Sequence, residues 1–141
     1  MSGKAFFDTN ILIYALGGRM PSQSEKRNEV ARQLLTDGGC VSVQVLNEFV
    51  HVCRRKANLN WEEIQAALEV IAQLCGEALP MTAKHQEVAV AIARRYGFTI
   101  YDAMILAVAG QANCSIVYSE DLQNGQFIKA MKVVNPFLSL V

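Results

Sequence analysis

An α/β fold, with a central parallel sheet covered by helices on both faces, is predicted by three observations. Short apolar runs of strand length alternate with longer segments of helical periodicity. The helical segments carry recognisable caps, such as Asn60-Trp61-Glu62-Glu63 and the glycines at Gly38-Gly39 and Gly97. Helices of that length between strands make crossover connections, and crossovers join parallel strands.

In chain order, Ala5 to Phe7 reads as the first strand and stops at Asp8. Ile11 to Leu16 continues as a short helix before Gly17-Gly18. Ser22 or Ser24 caps a second helix that runs to Asp37. Cys40 to Val43 is expected as a second buried strand and Val45 to Lys56 as a helix. The Asn60 capping box opens a helix to about Leu74, and Ala78 to Met81 reads as a short strand. Thr82 caps the next helix, which ends at Arg94-Arg95-Tyr96-Gly97. Tyr101 to Ala112 is apolar all round, the mark of a buried helix. Ser115 to Tyr118 and Lys132 to Asn135 complete the strands. Neither repeat nor linker interrupts the pattern, so residues 1–141 read as one domain.

Composition narrows the function. The 141 residues are 52% hydrophobic and 18% charged, with 13 Lys+Arg balancing 13 Asp+Glu. That excludes an intrinsically disordered chain and a protein that binds polyanions through bulk basicity. No apolar run approaches the roughly 20 residues of a membrane span, and Asp8 and Asn10 interrupt the N-terminus where a signal peptide would be apolar. A cytoplasmic protein is expected. Cys40, Cys53, Cys75 and Cys114 are scattered among apolar neighbours and read as buried small hydrophobes.

The acids sort into two groups. Glu25, Glu29, Asp37, Glu62, Glu63, Glu69, Glu77 and Glu87 fall in polar stretches and read as solvated. Asp8, Glu48, Asp102 and Asp121 differ: none has a Lys or Arg within three residues. Asp8 follows the first strand, Glu48 is embedded in Val45-Leu46-Asn47-Glu48-Phe49-Val50, Asp102 heads the buried helix, and Asp121 follows a strand. Singly, each has a structural reading: a turn residue for Asp8, a solvent face for Glu48, a helix-dipole acid for Asp102, and loop punctuation for Asp121 beside Glu120. Jointly they point to the carboxyl edge of a parallel sheet, where such folds bind ligands. Carboxylates gathered there raise one another's pKa unless a cation is present, and oxygen-only ligation suits Mg²⁺ or Mn²⁺.

Other chemistries lack support. His51 and His85 accompany no nucleophile motif, and the chain holds neither a P-loop nor G-x-G-x-x-G. Arg54-Arg55-Lys56 and Arg94-Arg95 suit helix C-termini, with contact to a polyanionic substrate as the alternative for whichever cluster lies near the acids.

The segments Asp8-Thr9-Asn10-Ile11-Leu12, Asn47-Glu48-Phe49, Tyr101-Asp102-Ala103-Met104-Ile105, Ser119-Glu120-Asp121-Leu122 before Gly125, and Val134-Asn135-Pro136-Phe137 carry a resemblance that spans the chain. The sequence resembles PIN-domain proteins, and among them the VapC-like toxins of bacterial toxin–antitoxin pairs. The resemblance implies a metal-dependent ribonuclease acting on single-stranded or loop RNA, with Asp8, Glu48, Asp102 and Asp121 as catalytic and metal-binding acids. Thr9, Asn10 and Ser119 would orient them. It also implies one or two Mg²⁺ or Mn²⁺ ions, a homodimer, and an antitoxin partner that obstructs the site. Glu120 is left as a neighbour able to share the part of Asp121.

Two rivals keep the architecture. A receiver-like phosphoacceptor would use Asp8 and a Lys near the last strands, Lys129 or Lys132, but leaves Glu48 and Asp102 unexplained. A non-catalytic binding module would keep the fold without the activity, and the presence of all four acids weighs against it.

Overall fold

The computed structural model describes residues 4–18 and 25–140. Its elements are β1 (Lys4–Phe7), α1 (Thr9–Leu16), α2 (Glu25–Asp37), α3 (Val43–Arg55), α4 (Trp61–Cys75), α5 (Ala83–Tyr96), α6 (Ile100–Gln111), β2 (Cys114–Tyr118), β3 (Phe127–Ile128) and β4 (Met131–Val134). The sheet order is β1-β2-β4-β3, with β1, β2 and β4 parallel and β3 antiparallel at the edge. The α/β expectation, a mostly parallel sheet among helices, is met.

Successive strand residues point to opposite faces of a sheet. Phe6 and Phe7 are both fully buried, so both faces are covered. On one side α6 packs on β2, with α5 against it. The group of α1, α2, α3 and α4 packs through the pairs α1 with α2, α1 with α3, and α4 with α2 and α3. The helix predicted to be buried is so: Ala103 and Ile105 to Ala109 are all in the core.

The caps fall where the sequence puts them. Asn60 and Glu63 form a reciprocal capping box at α4. Thr82 does the same with His85 at α5, the imidazole taking the place of the usual Glu. Gly97 ends α5 in the left-handed region, at φ 81°, and the chain turns directly into the Thr99 cap of α6. The caps proposed at Ser22 and Ser24 lie outside the described residues.

Two expected strands are corrected. Residues 40–43 and 78–81 form only isolated bridges, Phe6 to Cys40 and Ser42 to Leu79. Ser42 is already the N-cap of α3, accepting from the Val45 amide, so the extended stretch ends there. Pro80 has no N–H to carry the second stretch further. The β3 edge strand was not anticipated, because two residues give no periodicity to read. Among the described residues no helix is long and apolar enough to cross a membrane. All four cysteines are free, and burial pushes the Cys53 thiol up to about 11 and that of Cys114 to about 12.

Candidate active site

The parallel pair β1 and β2 ends in a hydrogen bond from the Asp8 amide to the Tyr118 carbonyl (3.0 Å). One residue on, the Ser119 amide donates to the Val134 carbonyl of β4 (3.0 Å). Asp8 and Ser119 therefore leave adjacent strands side by side at the carboxyl edge. The Ser119 hydroxyl, fully buried, donates to Asp8 Oδ2 at 2.7 Å. Asp8 Oδ1 accepts from the Thr9 amide at 2.7 Å and so caps α1. This single carboxylate ends a strand, starts a helix and anchors a serine.

Thr9 and Asn10 carry the network outward from the first turn of α1. The Thr9 hydroxyl donates to Glu48 Oε2 at 2.7 Å, across to α3. Asn10 Nδ2 donates to Asp121 Oδ2 at 3.1 Å, and Asn10 Oδ1 accepts from the Glu120 amide. Ser119 Oγ accepts in turn from the Asp121 amide at 3.1 Å. The three residues expected to orient carboxylates all contact one.

Asp102 stands apart from this chain of bonds. It lies half-buried in the first turn of α6, where its amide donates to the Thr99 cap. Its link to the others is electrostatic. Burial raises its pKa, a hydrogen bond with Thr99 opposes the rise, and the charges of Glu48 and Asp121 add to it. Asp8 shows the same pattern more strongly. Burial lifts its carboxyl from the ordinary 3.8 to about 6 against the hydrogen bonds from Ser119 and Thr9, and the charges of Asp121 and Glu48 push the same way. Asp8 and Asp102 thus both feel the charges of Glu48 and Asp121. Among the described residues, no three His, Cys, Asp or Glu side chains stand ready to enclose a metal ion.

One residue of this site was missed in the sequence. Gln44, nearly buried on α3, donates from Nε2 to Glu48 Oε1 at 3.1 Å and to the Tyr101 carbonyl at 3.0 Å. It fixes the second oxygen of Glu48 and ties α3 to the turn that presents Asp102. Its position one helical turn before Glu48 was the available signal.

Glu120 separates from Asp121. Its carboxylate accepts from the Tyr14 hydroxyl (2.7 Å) and pairs with Arg27 (3.0 Å), whose guanidinium also lies over the Tyr14 and Phe137 rings. Glu120 is engaged in holding the loop, while Asp121 is exposed beside Asn10.

A cleft of about 590 Å³ opens between α1, α3 and the loop after β2. Thr9, Asn10, Glu48, Glu120 and Asp121 line one part, and Asn47, His51 and Lys56 another. The Arg54 alternative as a phosphate clamp is not supported. Its guanidinium donates to the Leu59 carbonyl (3.1 Å) and stacks over Trp61 at 4.6 Å.

Residues 5–128 match the model of the PIN domain family, a span that includes all four acids. The chain belongs to the PIN domain family. The PIN fold is also seen in solved structures similar to this chain. A toxin–antitoxin complex from Klebsiella pneumoniae superposes with a TM-score of 0.69 at 23% identity, covering 94% of this chain and 98% of that one. The sarcin–ricin-loop-cleaving toxin VapC20 of Mycobacterium tuberculosis gives 0.59 at 22% identity, covering 81% and 87%. A search of the curated proteins finds no match.

The receiver-like rival loses its lysine. Lys129 lies in the turn that precedes β4, at the opposite end of that strand from Val134 and Ser119. Lys132 sits within β4, paired with Ile116 and not with the residues at the carboxyl edge.

Proposed function

We propose that this PIN domain is a metal-dependent endoribonuclease that cuts single-stranded or loop RNA and is the toxin of a toxin–antitoxin pair. The observation that carries the reading is the bond network joining Asp8, Glu48 and Asp121 through Thr9, Asn10 and Ser119 at the carboxyl edge of the sheet. Membership of the PIN family and the likeness to toxin structures support it.

By its chemistry the donor set suits a hard divalent cation, although no three of the described side chains converge closely enough to enclose one as they stand. It offers oxygens only, and burial, with the neighbouring negative charges adding to it, raises the proton affinity of Asp8 and Asp102, a cost that a cation removes. Asp8, Glu48, Asp102 and Asp121 would hold Mg²⁺ or Mn²⁺, which when bound supplies a water of lowered pKa and charge stabilisation at the phosphate. The protein's own part is orientation. Thr9 and Gln44 hold both oxygens of Glu48, Ser119 holds Asp8, and Asn10 holds Asp121. A recessed acidic cleft favours a flexible strand over a stiff duplex.

Residues 1–141 acting as one domain, a protein antitoxin that covers the cleft and a homodimer belong to the same reading. For the dimer, exposed Val70 and Leu74, one turn apart on α4, are the supporting surface. The test is incubation of a hairpin RNA and a blunt duplex with the protein in Mg²⁺, Mn²⁺ or EDTA. Metal-dependent cuts confined to the loop are expected. Intact RNA in every condition would overturn the reading.

A further inference from the structure

The cleft that exposes Glu48 and Asp121 continues along α3 past the carboxylates. Asn47, His51 and Lys56, all exposed, line that extension together with Val52. Asn47 and His51 are one helical turn apart, as are Val52 and Lys56, so two adjacent rows of the helix border the cleft. Among the described residues Lys56 has no ion-pair partner, whereas Arg54 is taken up by Leu59 and Trp61. The acidic end of the cleft and its cationic end therefore remain unneutralised by each other.

Lys56 follows Glu48 by eight residues, about 12 Å along a helix axis. That exceeds the roughly 3.4 Å rise per nucleotide of a stacked strand. A phosphate at the carboxylates and a phosphate at Lys56 thus belong to different nucleotides of one strand. An ammonium is a point charge suited to a phosphate, and an amide and an imidazole offer hydrogen bonds to phosphate or sugar oxygens.

We propose that Lys56, with His51 between it and the carboxylates, forms a second phosphate subsite, which holds a phosphodiester flanking the scissile one in single-stranded RNA, while Asn47 borders the strand nearer the acids. The inference rests on the nuclease reading and adds the direction in which the strand lies. The substrate runs from the acidic pocket along α3 toward its C-terminus. Because the subsite touches no reacting atom, it acts on binding and leaves the chemical step alone.

The test is steady-state cleavage of a labelled single-stranded RNA by wild type, Lys56→Ala, Lys56→Arg, His51→Ala and Arg55→Ala, across a series of salt concentrations. Lys56→Ala is expected to raise KM by roughly tenfold with kcat within about twofold, and to reduce the salt slope of kcat/KM by about 0.7, one phosphate contact on a single strand. Lys56→Arg should restore both. His51→Ala should raise KM in the same direction, and Arg55→Ala, which does not line the cleft, should match wild type. A Lys56→Ala enzyme with wild-type KM and slope would overturn the subsite while leaving the nuclease intact. If the wild type cuts nothing, the nuclease reading falls, and fluorescence anisotropy with the same RNA decides the subsite. Binding weakened by Lys56→Ala supports it, and equal or absent binding overturns it.

Discussion

Ser119 Oγ lies 2.7 Å from Asp8 Oδ2, although the two residues stand at opposite ends of the sequence. Parallel pairing of β1 with β2 brings them together, and the same hydroxyl accepts from the Asp121 amide. One buried serine thereby sets two of the four acids. Ser119→Ala removes the donor to Asp8 and the acceptor for the Asp121 amide. A loss of about 1–3 kcal/mol in stability is expected, with a fall in RNA cleavage, measured by denaturant unfolding and by initial rates. Wild-type rates would show that Asp8 needs no such anchor.

Asp8 makes the metal-free protein pH-sensitive. Its carboxyl titrates near 6 when folded and near 3.8 when unfolded, so the folded state holds the proton more tightly. Asp8 contributes no penalty below pH 4, destabilises progressively as pH rises from about 4 to 6, and exerts its full effect above. At 1.36 kcal/mol per pKa unit the penalty at pH 7 is about 3 kcal/mol. Asp8→Asn should therefore stabilise the metal-free protein at pH 7, by less than this figure because the amide is a poorer acceptor for Thr9 and Ser119. Urea unfolding at pH 5 and pH 7 checks the sign, and a stabilisation larger at pH 5 would contradict it.

Metal should reverse that penalty. Mn²⁺ or Mg²⁺ bound only by the folded state raises its stability, and by more at pH 7 than at pH 5, where protons compete for the same carboxylates. Thermal unfolding with and without EDTA reads the effect. A shift independent of pH would place the ion elsewhere.

Gln44 and Thr9 hold opposite oxygens of Glu48. Removal of either, by Gln44→Leu or Thr9→Val, is expected to lower metal affinity or cleavage by about 10–100-fold, the usual effect of losing a partner of a ligand. Calorimetric titration of Mn²⁺ separates that loss from misfolding. Unchanged affinity and rate in both variants would mean that Glu48 is not part of the centre.

Asp121 and Glu120 should divide cleanly. Glu120→Gln weakens a half-exposed pair with Arg27, a loss within about 1 kcal/mol, and leaves cleavage within a few-fold. Asp121→Asn is expected to cost far more activity and almost no stability, since it is exposed. The reverse pattern, read from rates and unfolding curves of the two variants, would exchange their roles.

Much of this was legible from residue types alone. Asp8 at a strand end, the Asn60 and Thr82 caps, and the apolar run after Asp102 announce themselves through local chemistry, and the four acids stood out because no cation neighbours them in sequence. What escaped reading depends on distant contacts. Gln44 is an ordinary helix residue until Tyr101 arrives beside it. Glu120 and Asp121 are indistinguishable until Tyr14 and Arg27 claim one of them. The helix-end reading of Arg54 leaves a phosphate contact open until Trp61 covers it, and Lys56 lines the cleft instead. The stretches around Val41 and Leu79 have strand composition, yet the Ser42 cap and Pro80 reduce them to isolated bridges.

The most direct test of the carboxylate centre compares wild-type and Asp8→Asn protein on one single-stranded RNA of mixed sequence, with Mg²⁺, with Mn²⁺ and with EDTA. Cleavage by the wild type in either metal, none in EDTA, and none by a folded Asp8→Asn protein is the expected result. Cleavage by Asp8→Asn at the wild-type rate would contradict the centre described here.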